Sequence, residues 1–238
     1  MKNEFISLAS HQLRTPLSAT KWFLEMLIKG DAGKLTKKQM EFVRHVDDSN
    51  ERMIELVGAL LNVSRIESGR IIVEPVPTNL KTLITSLVSD MKKMFAEKHQ
   101  KLTIDVAKDL PEISIDRKLV RQVYLNLLTN ANKYTPDNGK IHISVIKQGE
   151  KILSKIEDTG YGIPKEEKEK VFQKFYRGSN ILSAVPTGTG LGLYLVKAII
   201  ESSNGEIWFE SQEDKGSAFY FTLPLSGMTK KKGEISLD

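Results

Sequence analysis

The chain of 238 residues contains no cysteine, which removes disulfides, thiolate metal sites and cysteine nucleophiles. Long apolar runs are missing as well. None approaches the ~20 residues needed to cross a bilayer, and no basic, apolar leader opens the sequence. The expectation is a cytoplasmic fragment without membrane contact. Any membrane-embedded part would lie outside it. Excess charge of one sign is also scarce. The net charge is +5, and Lys230, Lys231 and Lys232 supply three of those charges from a polar tail. Basic residues interleaved with aromatic platforms are not found, so nucleic acid is not expected as a partner. His45, His99 and His142 lack metal-ligand spacing, which argues against zinc. What remains is 40% hydrophobic and 27% charged, ordinary for a folded chain long enough for one large domain or two modest ones.

Apolar periodicity divides the chain in two. Residues 3 to 29 read as one helix, with Ile6, Leu13, Thr20 and Leu27 recurring every seven positions beside Ser10, Leu17 and Leu24. Gly30-Asp31-Ala32-Gly33 breaks it. Thr36 is the expected N-cap of a second helix reaching residue 67, whose stripe is Val43, Val46, Met53, Val57 and Leu60, widened by Ile54 and Leu61. Two helices cannot cover so wide a stripe alone. Residues 1 to 68 are therefore expected to form an all-α helical hairpin that pairs with a second copy as a dimeric four-helix bundle. Residues 69 to 79, with Pro75 and Pro77, read as a linker. From 80 to 226 the pattern mixes helices (80–97, 116–133, 192–203) with strands (102–106, 140–148, 151–157, 206–211, 218–223). That order fits an α+β sandwich with helices on one sheet face. Residues 227 to 238 read as a mobile tail.

His11 stands in Ser10-His11-Gln12-Leu13-Arg14-Thr15-Pro16-Leu17, one residue past a seam position. That places it on the hairpin's flank, open to solvent, where a neutral imidazole nitrogen can attack phosphorus. Thr15 shares its face one turn on. Pro16 has no amide proton, so the Gln12 carbonyl loses its helix partner and a local bend follows.

Four further segments suit a nucleotide. Asn126 and Asn130 lie one helical turn apart, and their carbonyl oxygens suit a Mg²⁺ already held by triphosphate. Lys133 and Tyr134 follow on the same helix. Asp158 ends an apolar strand before Gly160 and Gly162, where a carboxylate can accept from an adenine amine and glycine lets backbone approach the base. Val171 to Arg177 carries Phe172, Phe175 and Tyr176 as anchors for a lid, with Lys174 and Arg177 expected to reach terminal phosphates. Gly188-Thr189-Gly190-Leu191-Gly192 leads into a helix and offers amides to an anion. Taken singly, each also reads as ordinary structure: a solvated helix face, a strand-ending turn, an aromatic cluster, a flexible loop.

The octet around His11 resembles the phosphoacceptor box of bacterial sensor histidine kinases, usually written Ser-His-Glu-Leu-Arg-Thr-Pro-Leu. The four later segments resemble, in order, the N, G1, F and G2 boxes of that family's ATP-binding domain, which is related to DNA gyrase. Gly216-Ser217 resembles the last box. The resemblance runs over roughly residues 3 to 225. It implies an ATP-dependent histidine autokinase that uses Mg²⁺, works as a homodimer, and passes phosphate from His11 to an aspartate on the receiver domain of a response regulator. It also implies that Thr15 positions water for dephosphorylating that partner. The chain departs from the pattern at Gln12, because glutamine cannot serve as a carboxylate base. A phosphatase-biased sensor and a non-catalytic nucleotide-binding scaffold therefore stand as alternatives. The helix after Asp116 carries no acid, so the water-activating glutamate of the related ATPases has no counterpart there.

Overall fold

The computed structural model describes residues 2–69, 71–181, 188–231 and 233, with backbone alone for 2–11. Two long helices come first, α1 (Lys2–Lys29) and α2 (Lys37–Glu67), packed as an antiparallel hairpin. Thr36 caps α2 through a reciprocal box: its hydroxyl accepts from the Gln39 amide, and the Gln39 side chain accepts from the Thr36 amide. The register of the two helices is marked by Asn50, which is buried and donates Nδ2–H to the Leu17 carbonyl at 3.0 Å, and by a Lys21–Glu51 ion pair. Val57, Leu61 and Leu24 are buried, whereas Leu13, Trp22, Phe23, Phe42, Val46 and Met53 remain about half exposed.

The second unit comprises β1 (Val76–Thr78), α3 (Leu80–Asp90), α4 (Lys92–Glu97), β2 (Lys101–Val106), β3 (Ile113–Ile115), α5 (Arg117–Tyr134), β4 (Lys140–Gln148), β5 (Lys151–Asp158), α6 (Gly192–Ser202), β6 (Ile207–Gln212) and β7 (Gly216–Pro224). The main sheet has the order β2-β4-β5-β7-β6; β2 and β4 are parallel and the other pairs antiparallel. Period-two alternation puts Ile141, Ile143, Val145, Ile152, Ile156, Phe221 and Leu223 on one face, where they bury against Val120, Val123 and Leu127 of α5 and Val196 and Ile199 of α6. Tyr124 lies within this layer, fully buried, bonded to the Ser154 hydroxyl at 2.6 Å and edge-on to Phe221.

Both ends of α5 are held by side chains from elsewhere. Asp116 accepts from the Lys118 and Leu119 amides at one end. At the other, Lys98 Nζ donates to the carbonyls of Asn132, Lys133 and Thr135, and Gln100 Nε2 donates to those of Asn132 and Thr135. A cation and an amide thus satisfy carbonyls that the helix end leaves open. This fixes the turn that carries Asn130, Lys133 and Tyr134.

Three expectations differ from the structure. The stretch expected as a linker over 69–79 is mostly part of the second unit. Ile71 and Val73 are buried, β1 pairs with β3, and the Glu74 amide donates to Asp116 Oδ2. Of the stretch expected as a mobile tail over 227–238, residues 227–231 pack instead, and 232 and 234–238 lie outside the described residues: Met228 is buried and donates its amide to the Ser114 carbonyl, and Lys231 exchanges hydrogen bonds with Val73. Each buried apolar side chain contributes about 2 kcal/mol, enough to hold these short segments down. The helix expected over 80–97 is two helices meeting at Met91, where ψ is −1° and the ladder is interrupted.

Candidate functional site

The glycine-rich segments, α5 and the end of β5 converge on one cavity of about 580 Å³, a size typical of small-molecule sites. It is lined by Asn126, Asn130, Lys133 and Tyr134 of α5, by Asp158 at the end of β5, and by Gly162, Arg177, Gly188, Thr189, Gly190 and Gly192. Helical periodicity explains the α5 contribution: residues 126, 130, 133 and 134 form a stripe along the flank of the core-facing side, whose centre is Tyr124, Leu128 and Ala131.

At one end lies Asp158, buried, with Oδ1 accepting the Gly160 amide at 2.8 Å. Burial pushes its carboxyl up to about 6, opposed by the hydrogen bonds from the Gly160 and Ser217 backbone. Tyr134, beside it, is also raised by burial. Gly162 has φ +65°, and a Cβ there would stand 2.0 Å from the Gln212 carbonyl oxygen, so only glycine fits.

At the other end two cations meet a glycine. A Cβ on Gly188 would lie 3.0 Å from Lys133 Nζ and 3.7 Å from Arg177 Nε. Burial and the neighbouring guanidinium hold Lys133 below the ordinary lysine value, with the Glu55 carboxylate acting in the opposite direction. Two cations facing one hollow suit a polyphosphate. The Asn126 oxygen is aimed at the first turn of α6, where a Cβ on Gly192 would meet it at 2.8 Å; its Nδ2 donates to the Gln122 carbonyl. Among the described residues no cluster of three carboxylates or histidines could hold a metal on its own. Asn126 and Asn130 present side-chain amides to this cavity, whose carbonyl oxygens are of the kind a hard cation takes.

Three residues expected here lie elsewhere. Lys174 forms a 2.6 Å ion pair with Glu67 at the end of α2 and sits 4.9 Å from the Tyr194 ring, whose hydroxyl also donates to Glu67. A basic side chain takes the nearest carboxylate, and no local pattern marks this one as coming from the hairpin. The Leu191 side chain is buried in the core, and Gly160 packs against the Tyr134 carbonyl, so neither lines the cavity. Phe172 stacks edge-on with Phe209, whereas Phe175 is exposed with φ +62°. The expected lid includes residues 182–187, which fall outside the described residues, as does the side chain of His11. The backbone of His11 belongs to α1, and Gln12 and Thr15 are exposed.

The pattern of the sequence did not disclose one wall of the cavity. Glu55, Gly58, Ala59 and Asn62 of α2 close it from the hairpin side. Asn180 adds a further side chain, anchored to the Gly162 carbonyl. Contacts between units leave no local periodicity to read. The small residues at 58 and 59 inside a helix are the one sign of a close neighbour.

Comparison with known proteins agrees with this architecture. Residues 1–69 match the His Kinase A (phospho-acceptor) domain, and residues 115–227 match the histidine kinase-, DNA gyrase B- and HSP90-like ATPase. The adaptive-response sensory kinase SasA of Thermosynechococcus vestitus is 36% identical over 231 residues, covering 94% of this chain and 60% of SasA. The chain thus spans about three fifths of that relative. The catalytic domain of histidine kinase ThkA is 31% identical, with 64% of this chain and 96% of that domain covered at a TM-score of 0.57. ThkA in complex with response regulator protein TrrA aligns at 0.66, 23% identity, covering 93% and 61%. Full-length ShkA in complex with AMPPNP shares the fold at a TM-score of 0.80 and 24% identity, over 96% of this chain and 47% of ShkA. No helix among the described residues is long and apolar enough to cross a membrane. A phospho-acceptor hairpin followed by an ATPase sandwich, with relatives of this kind, makes the chain a member of the sensor histidine kinases and the catalytic core of one.

Proposed function

We propose that the cavity binds Mg-ATP and that the γ-phosphoryl group is transferred to His11, then to an aspartate on a response regulator. One observation carries this reading. The Asn50–Leu17 hydrogen bond sets the level of the two helices. His11 is six residues before Leu17, and in an antiparallel hairpin its level on α2 is six residues after Asn50, at Leu56. The α2 wall of the cavity, Glu55 to Asn62, starts at that level. The α2 wall of the cavity and the turn of α1 that carries His11 are therefore neighbours in height.

Asp158 selects adenine through an acceptor oxygen. Lys133, Arg177 and the amides of Gly188 to Gly192 hold the phosphate tail, and Asn126 and Asn130 supply oxygen donors. A bound Mg²⁺ would neutralise part of the triphosphate charge. Positioning and charge stabilisation do most of the catalysis in such transfers. The unit that moves pivots at Ser68–Gly69 rather than across 69–79, because Ile71 onward is anchored. Half-exposed Val46, Met53, Phe42 and Leu13 support pairing of two hairpins as a four-helix bundle, since exposed apolar surface on this scale is ordinarily covered. Exposed Thr15 is open to a docked receiver domain and a hydrolytic water. Gln12 favours a second reading, in which phosphatase activity exceeds kinase activity. Radiolabelled ATP tests the main one: wild type takes up label and His11→Ala takes up none, whereas equal uptake by both would end it.

A further inference from the structure

We propose that Glu55 sets the nucleotide preference of the cavity: an anion on the hairpin wall, beside the cations that hold the phosphate tail, it disfavours a triphosphate relative to a diphosphate while the hairpin is docked on the sandwich. This rests on the reading of the cavity as a nucleotide site.

The helix period puts Glu55 on that wall. Glu55, Gly58, Ala59 and Asn62 recur at spacings of three and four residues and form one stripe of α2. The stripe is turned about 130° around the helix from Asn50, the residue bonded to α1. One flank of α2 therefore packs on α1 and another on the sandwich. The second contact continues past the stripe. Ala59 and Ile66 pack against the buried core, and Glu67 takes an ion pair from Lys174 and a hydrogen bond from the Tyr194 hydroxyl.

Charge in the cavity is unevenly spread. Lys133 and Arg177 face Gly188 at the phosphate end, whereas Asp158 lies at the adenine end and accepts the Gly160 amide. Among the described residues lining the cavity, Glu55 is the one other acid. Other acids of α2 are taken by cations, Glu51 by Lys21 and Glu67 by Lys174. Glu55 forms no such pair among the described residues. Its charge reaches Lys133, where it opposes the burial and the Arg177 guanidinium that lower the lysine. The phosphate-binding cations thus already lie in the field of one carboxylate.

With or without a bound Mg²⁺, a triphosphate brings about one more negative charge than a diphosphate, and a like charge facing Glu55 across a part-exposed gap weakens binding about threefold at low ionic strength. Binding and docking are linked, so the triphosphate disfavours this docked arrangement by the same factor. Docking is correspondingly favoured once the γ-phosphoryl group has left.

Wild type, Glu55→Gln and Glu55→Lys are titrated with ADP and with a non-hydrolysable ATP analogue, at about 0.05 M and about 0.5 M salt. Glutamine keeps the shape of the side chain and removes its charge. At low salt the ratio of analogue affinity to ADP affinity should rise about threefold in Glu55→Gln and further in Glu55→Lys, and the gain should shrink at high salt. A merely structural role would shift both nucleotides together and would not follow salt. A rise below about twofold in either variant, a fall in the ratio, or a gain indifferent to salt overturns the proposal and leaves nucleotide binding intact. Failure of wild type to bind either nucleotide would instead overturn the nucleotide site, and this proposal with it.

Discussion

Replacing Asp158 by asparagine probes the adenine end of the cavity with a calculable effect. The carboxyl is buried and pushed from an ordinary 3.8 up to about 6. Between those values the folded protein holds a proton that the unfolded chain has released, so raising the pH across this window destabilises the fold. Below pH 4 both states are protonated and the group contributes nothing. Above pH 6 the penalty is complete, and a shift of roughly 2 units corresponds to about 3 kcal/mol. Asparagine never ionises, yet its oxygen can still accept the Gly160 amide. Asp158→Asn should therefore match wild type near pH 4 and exceed it in unfolding free energy by up to about 3 kcal/mol at pH 7.5. Urea denaturation of both proteins across that range gives the difference, in which all other titrating groups cancel. ADP affinity measured by calorimetry should move the other way. It should fall about fivefold to a hundredfold at pH 7.5, because an amide presents a donor where the adenine amine needs an acceptor, a mismatch costing about 1–3 kcal/mol. A flat difference in stability would refute the burial argument, and unchanged ADP affinity would remove Asp158 from adenine recognition.

Three further outcomes follow from particular contacts. Gly162→Ala places a methyl 2.0 Å from the Gln212 carbonyl at φ +65°; it should cost about 2 kcal/mol or more and abolish ADP binding, read by thermal unfolding with and without ADP. Tyr124→Phe leaves the Ser154 hydroxyl buried without its 2.6 Å partner and should cost about 1–2 kcal/mol in urea, with ADP affinity unaltered. Lys174→Met should leave ADP affinity unaltered and cost less than about 1 kcal/mol, since its ion pair with Glu67 is part-exposed. Lys133→Met, by contrast, should weaken ADP binding about tenfold or more, and equal losses in the two variants would contradict the placement of Lys174 on the hairpin.

Local pattern carried most of the fold. The heptads at 6–27 and 43–60, Thr36 with Gln39 three residues on, and the alternation from Ile141 to Ile156 each declare their element through a period or a cap that depends only on near neighbours. Ile71, Val73 and Met228 were illegible because each lies in an apolar patch no longer than Ile71-Ile72-Val73, inside a Pro-, Gly- or Lys-rich stretch. Val73 bridges to Lys231, Glu74 beside it donates to Asp116, and Met228 donates to Ser114, each partner more than 40 residues away. The cavity shows the same division. Its glycines and asparagines announce themselves by spacing, because backbone approach and helix faces are local demands. Glu55 and Asn62 do not, because they enter by packing of the hairpin on the sandwich. The partner of Lys174 was unreadable for the same reason.

The central claim is that the donor cavity delivers phosphorus to one imidazole. Purified protein incubated with Mg-ATP, followed by intact-mass measurement and peptide mapping under alkaline conditions, tests it most directly. The account predicts a single added phosphoryl group per chain, stable to base, lost in acid, and confined to the peptide containing His11. Phosphate on a serine, threonine or aspartate, or ADP released with no phosphoryl retained on the chain, would contradict it.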